Sequence, residues 1–186
     1  MIYVNFISGD VPALPAGSRV NEYRVDAVVG SGPFQPGSTM RRVESDSLWE
    51  GGLRGVVQHL HYTTLEERTD LAERSRAELP PAADTIAVLI PIRKSPEWWQ
   101  LAQDQRGDHF HKSHTPIGAP YVERIFRRLY HARYIGPPHD FLTYFEFASG
   151  DAALFRQLLG ELRDVSKNPE WNYVVDEHEV WMTKLK

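Results

Sequence analysis

The hydrophobic positions along the chain change period several times, and each period predicts an element. Ile2 to Ile7 is rich in β-branched and aromatic residues and reads as a short strand. Between Ser8 and Asp46 glycine and proline interrupt the pattern (VPALPAG, GSGPFQPGS), which predicts loop with one strand at Tyr23–Val29. Leu53 to Tyr62 reads as a strand entering the core. A charged helix follows from about Thr64 to Leu79, stopped by Pro80-Pro81. Thr85 to Ile92 is a continuous apolar run, as expected of a central strand covered on both faces.

Ser95-Pro96 supplies a cap residue and a first-turn proline for a helix running through WWQLAQDQ towards His109. From Tyr121 to Tyr134 two periods compete. Val122, Ile125, Phe126, Leu129 and Tyr130 fit helical spacing, yet Gly136-Pro137-Pro138 and the aromatic run FLTYFEF follow, as in a hairpin. We take 126–134 as strand. Asp151 to Val165 is an amphipathic helix with Leu154, Phe155, Leu158, Leu159, Leu162 and Val165 on one face. Trp171 to Met182 reads as a final strand. The order from Thr85 is then β-α-β-β-α-β, which predicts an α+β, ferredoxin-like antiparallel sheet with helices on one face. Residues 1–82 read as a truncated, degenerate copy of the same plan preceding the second half, 83–186, in one compact unit.

Composition adds exclusions. A chain of 186 residues with 41% hydrophobic content can build its core without a disulfide or metal staple. It has no cysteine, so Cys-ligated zinc, iron–sulfur clusters, thiolate haem and thiol nucleophiles are out. A net charge of −4 offers nucleic acid nothing to bind. The longest apolar run, Ile86 to Ile92, is interrupted by Pro91 and far too short for a membrane span. The first ten residues lack the basic and apolar regions of a signal peptide, so a cytoplasmic protein is expected.

Candidate chemistry concentrates between Lys94 and Tyr144. His109, His111 and His114 are too irregularly spaced for a zinc helix, whose ligands recur at i, i+4. One of them could ligate haem iron, which needs a neutral imidazole held by an acceptor on its other nitrogen. Arg127 and Arg128 stand in an apolar, aromatic segment and on a strand point to opposite faces. The one facing the covered side needs an acid or a bound anion. Lys94, between a buried strand and a helix start, could meet an anionic group or simply be exposed at a strand end. Trp98-Trp99 on a helix pack a core in most proteins. These residues describe a cavity with aromatic lining, histidines and an inward arginine, and leave its ligand open.

The blocks LIPIRKSPEWWQL, KSH, RRLYHARYIG, DFLTYFEF, LLGELRD and EW-x-YV, in unbroken order over roughly Leu53 to Val175, resemble the chlorite dismutase family, specifically its short, dimeric members. The resemblance implies a haem b between sheet and helices, a homodimer, and conversion of chlorite to chloride and dioxygen via a ferryl intermediate. It assigns the axial iron ligand to His114 and the carboxylate hydrogen-bonded to that histidine to Glu170. Arg127 becomes the distal catalytic residue, which cannot deprotonate and so holds the anionic hypochlorite fragment without titrating. Lys94, Trp98 and Trp99 fall where the family lines the haem and meets its propionates, and Tyr62 matches a tyrosine near a propionate. His109 and His111 have no family role and are expected to face solvent. SKN ahead of Pro169 is an insertion relative to the family pattern, and the loop TPIGAP also departs from it. The rival readings are a coproporphyrin-type haem decarboxylase, whose members are longer and lack the distal arginine, a peroxidase, and a haem carrier or sensor. A cofactor-free ferredoxin-like monooxygenase is a fourth, which a Soret band would eliminate.

Overall fold

A computed structural model describes residues 1–9, 13–57 and 64–186, with the backbone alone for His114. The strands are β1 (Tyr3–Ser8), β2 (Arg19–Val29), β3 (Thr39–Ser45), β4 (Leu53–Val57), β5 (Thr85–Lys94), β6 (Phe126–His131), β7 (Phe141–Ala148), β8 (Val174–Glu177) and β9 (Glu179–Lys184). They pair in the order β7-β6-β4-β1-β3-β2-β9-β5, and β5 pairs again with β7, so the sheet closes on itself. β8 is appended to the end of β5. The expected open sheet is therefore a closed eight-stranded barrel, and closure removes the two edges that an open sheet would expose. Within the ring the N-terminal strands run β4-β1-β3-β2 and the C-terminal strands β9-β5-β7-β6.

Closure runs through β4 and β6, where, among the described residues, Val56↔His131 and Val57↔Tyr130 are in register. The chains approach so closely there that side chains are excluded. A Cβ on Gly55 would lie 2.8 Å from that of Tyr130, and one on Gly136 would lie 2.2 Å from the Arg54 carbonyl oxygen.

Strand alternation sorts the core into two layers. Val4, Phe6, Ala87, Leu89, Tyr130, Leu142, Tyr144, Val180 and Met182 point into the barrel. Val88, Ile90, Phe145, Phe147 and Trp181 point outward, beneath Phe155, Leu158 and Leu162 of helix α5 (Ala152–Arg163). The remaining helices, in chain order before α5, are α1 (Leu65–Arg74), α2 (Pro96–Gln100), α3 (Gln103–His109) and α4 (Thr115–Gly118), with a π-turn at Phe110–His114 between α3 and α4.

The differences from expectation have physical causes. β3 falls in the stretch expected to be loop, because TMRRVES inverts the usual alternation: its inward residues are Met40, Arg42 and Glu44. The strand expected over Leu53–Tyr62 is seen as Leu53–Val57, and the rest lies outside the described residues. α1 stops at Arg74 rather than at the prolines; its start is the capping box of Thr64 and Glu67. The helix expected to continue to His109 breaks at Leu101–Ala102 into α2 and α3. The single last strand is instead a 3₁₀ turn (Pro169–Tyr173) followed by β8 and β9, with His178 between them.

The inward charges are paired within the barrel. Arg42, fully buried, donates to Glu78 at 2.5 Å, and Lys184 reaches Glu78 at 2.9 Å and Glu146 at 2.8 Å. At the opposite end, His139 and His178 are each 1% exposed, with ring centroids 6.3 Å apart. Burial lowers both imidazole pKa values, so the folded state favours the neutral rings. An unfolded histidine protonates near 6.5, so below roughly that pH the unfolded chain binds protons that the folded one refuses. Stability should therefore be full above that value and fall as the pH drops through it towards the lowered pKa values. Denaturant midpoints at pH 7 and pH 5 test this. The wild type should lose more than His178→Phe between them, and equal losses would refute the role of the pair.

Candidate functional site

The outward face of β6 and β7 is not fully covered by α5. A cavity of about 350 Å³ remains between this face, α1, α5 and the segment from Phe110 to Val122. Its walls include Phe110, Leu129, Phe145, Leu158 and Leu162, and the charged residues along it are Arg76, Arg127 and Arg128. No carboxylate is among its described lining residues. Arg127 and Arg128 diverge as strand geometry requires. Arg128 turns to Glu44 at 3.3 Å, beside the inward Tyr130, whereas Arg127 pairs in register with the outward Phe145. Burial pushes the Arg127 guanidinium down to about 10, opposed by the negative charge of Glu170, so it stays cationic at neutral pH.

Facing this wall is the helical layer. α3 passes into the π-turn and then α4 without leaving helical geometry, and His114 ends the π-turn. A π-bulge inserts one residue into a helix and redirects the side chains that follow, which is why such turns recur at functional sites. Glu170 sits on the 3₁₀ turn packed against it, only 4% exposed. Lys94, also buried, ends β5 and places its ammonium 2.5 Å from Glu170 Oε1 and 4.5 Å over the Trp98 ring. It faces a carboxylate of the protein and is not among the cavity-lining residues.

Trp98 is fully buried against Phe110, Tyr173 and His109. Trp99 stacks on Phe141, with the Arg133 guanidinium 3.8 Å over its ring. Both indole N–H groups are buried without a hydrogen-bond partner among the described residues. Two orphaned donors of this kind are costly unless an acceptor completes them, and a carboxylate is a suitable one. Tyr62, the remaining sequence candidate, lies outside the described residues.

The other two histidines do not face open solvent as expected. His109 packs its ring 5.7 Å from Trp98 and 5.5 Å from Tyr173. His111 bonds Glu67 at 3.1 Å, tying the π-turn to α1. Sequence reading also missed Ser113 and Asn168, whose side chains meet at 3.0 Å. The signal available was the polar segment SKN ahead of Pro169, whose last residue is the fully buried Asn168.

Taken together, an apolar slot has an arginine on the sheet side and a histidine-bearing π-turn on the helix side; Trp98 and Trp99 are not among its lining residues, and Trp98 reaches it through Phe110. These residues fit a flat, apolar macrocycle with carboxylate substituents and an axially ligated metal. The slot also suits a small anion, because three arginines and no carboxylate are among its described lining residues.

No family model matches the chain. The chain is 32% identical over 117 residues to a chlorite dismutase of Ideonella dechloratans, a match covering 62% of this chain and 40% of that protein. Among solved structures, a dimeric chlorite dismutase from Nitrobacter winogradskyi is 34% identical and superposes with a TM-score of 0.76, covering 97% of this chain and 99% of that one. A chlorite dismutase from Candidatus Nitrospira defluvii in complex with imidazole has the same fold at 21% identity, with a TM-score of 0.71 over 98% of this chain and 91% of its own.

Proposed function

The chain belongs to the chlorite dismutase family, and from that premise we propose that it binds haem b in the slot between β6 and the π-turn and converts chlorite to chloride and dioxygen there. The observation that carries the reading is Arg127, a half-buried cation among the lining residues of a largely apolar cavity, across from the turn that ends in His114. The conversion is redox-neutral overall: both oxygens of one chlorite leave as one dioxygen, so no external reductant is needed.

When bound, haem supplies the iron centre at which the chlorine–oxygen bond breaks. His114 would hold its iron, and Trp98 and Trp99 would offer indole N–H donors to its propionates. Glu170, held by Lys94, would accept from the His114 imidazole and strengthen it as a donor. Arg127 holds the chlorite anion and then the hypochlorite-level fragment, retaining a product that would otherwise oxidise the protein. Its charge does this without titrating near neutral pH. The Arg127 position is also our reason for preferring this reaction to haem decarboxylation.

The fold supports a reading of 1–82 and 83–186 as two ferredoxin-like halves. With β8 set aside, the strand orders β4-β1-β3-β2 and β9-β5-β7-β6 are the same permutation of four strands taken in chain order. In the first half the connections from β1 to β2 and from β3 to β4 carry no described helix. We further propose a homodimer, the assembly named for the Nitrobacter winogradskyi relative.

The direct test is to reconstitute the protein with haem, add chlorite and follow dissolved oxygen with an electrode. Oxygen release is expected; its absence from a haem-loaded sample would leave the peroxidase and carrier readings. Arg127→Ala should lower kcat/KM about 10²-fold, the usual cost of losing a preorganised charge at the reacting group. Its haem content should be unchanged and its haem should bleach faster during turnover. Wild-type turnover and bleaching in this variant would remove Arg127 from the mechanism.

A further inference from the structure

Asn168 is fully buried and makes contacts in three directions. Its Nδ2 donates to the Leu162 carbonyl at 2.8 Å, near the end of α5. Its backbone carbonyl accepts from Trp171 at 3.0 Å, inside the turn that carries Glu170. Its Oδ1 faces the Ser113 hydroxyl at 3.0 Å, one residue before His114. Ser113 is itself buried, and its hydroxyl also reaches the His109 carbonyl at 2.7 Å. A serine hydroxyl has one proton, so that proton is shared between the helix carbonyl and the Asn168 amide.

One side chain thus links α5, the Glu170 turn and the π-turn. Each contact meets a local need. The last carbonyls of a helix lack intrahelical donors, and a π-bulge disturbs the regular carbonyl ladder, so both ends welcome an outside partner. Because Asn168 is anchored at both ends, the loop between α5 and Pro169 can lengthen without moving Glu170.

We propose that Asn168 is a positioning residue: acting through Ser113 and the Pro169–Tyr173 turn, it fixes the separation of His114 from Glu170 and so sets how strongly the axial imidazole donates to iron. The inference rests on the haem reading above, and it differs from a purely structural role in what it predicts. A buried amide that only fills space would change the stability of the protein and leave the iron–histidine bond untouched. A positioning amide changes that bond.

The experiment uses the ferrous haem-loaded protein and reads the iron–histidine stretching band by resonance Raman. It also follows haem loss to a haem-scavenging globin and unfolding of the haem-free protein. In Asn168→Ala the band should move to lower frequency, and haem should leave about 10-fold faster, within the range known for outer-shell partners of metal ligands. Ser113→Ala should shift the band in the same direction by less, and Ser113→Thr, which keeps the hydroxyl, should restore it. An unmoved band in Asn168→Ala would overturn the proposal, whatever happens to stability. If that variant does not fold, an unmoved band in Ser113→Ala overturns it equally. A wild type with haem bound but no iron–histidine band would instead refute His114 as ligand, and the inference with it.

Discussion

Replacing His114 with alanine should leave a folded protein that no longer retains haem. The expected loss of affinity exceeds the 10–100-fold typical of deleting an outer-shell partner, because the metal–ligand bond itself is removed. The fold should survive, since the barrel interior and the layer under α5 contain no residue of the π-turn. Titration of the haem-free variant, followed by the Soret band, measures the effect, and added imidazole should restore part of the spectrum by occupying the vacated position. Full retention of haem would require a substitute ligand, and the neighbouring histidines are poorly placed for that. His109 is wedged between Trp98 and Tyr173, and His111 is bonded to Glu67. The same geometry bears on the original choice among three histidines, which sequence spacing alone left open.

The site was legible in the sequence to the extent that its residues fall in contiguous blocks. Strand parity separated Arg127 from Arg128 before any coordinates, and the structure has them diverging to the two faces of β6. The Ser95-Pro96 helix start and the apolar run of β5 were equally readable, because caps and burial write themselves into local sequence. Contacts between distant segments were not readable. Lys94 was expected to meet an external anion, and what it meets first is Glu170, 76 residues away. Asn168 gave no periodic signal at all; its importance comes from the three elements that converge on it.

The barrel was hidden for a related reason. A sheet closes through a few seam contacts, here Val56↔His131 and Val57↔Tyr130, that no hydrophobic pattern marks. Once closed, its interior tolerates charge that an open sheet would have turned to solvent. This is why TMRRVES reads as loop: Arg42 and Glu44 occupy inward positions where a strand of an open sheet carries apolar residues. The α5 helix, by contrast, packs on a single outer face and its apolar stripe marks it in the sequence, although Val165, expected on that face, lies beyond the helix end and is exposed.

The charged interior leads to the second large effect. Glu146 lies in FLTYFEF, and parity places it inside the barrel with Leu142 and Tyr144. It is fully buried and serves three donors: the Leu79 backbone N–H at 2.8 Å, the Lys184 ammonium at 2.8 Å and the Tyr144 hydroxyl. Glu146→Leu would orphan the Leu79 amide, leave the Tyr144 hydroxyl to Tyr23, and leave Lys184 to Glu78 and the Leu79 carbonyl. Breaking a buried ion pair on one side costs about 3–5 kcal/mol, because the remaining charge is left in a medium that cannot solvate it. Against a total stability of roughly 5–15 kcal/mol, that loss should move the denaturant midpoint sharply downward. Glu146→Gln keeps an acceptor on only one side, for Leu79 or for Tyr144 and Lys184, and turns an N–H₂ towards the other, so it should recover only part of the loss. A midpoint for Glu146→Leu within error of wild type would mean that water enters the barrel to solvate the stranded groups, and the interior would then be wet rather than sealed.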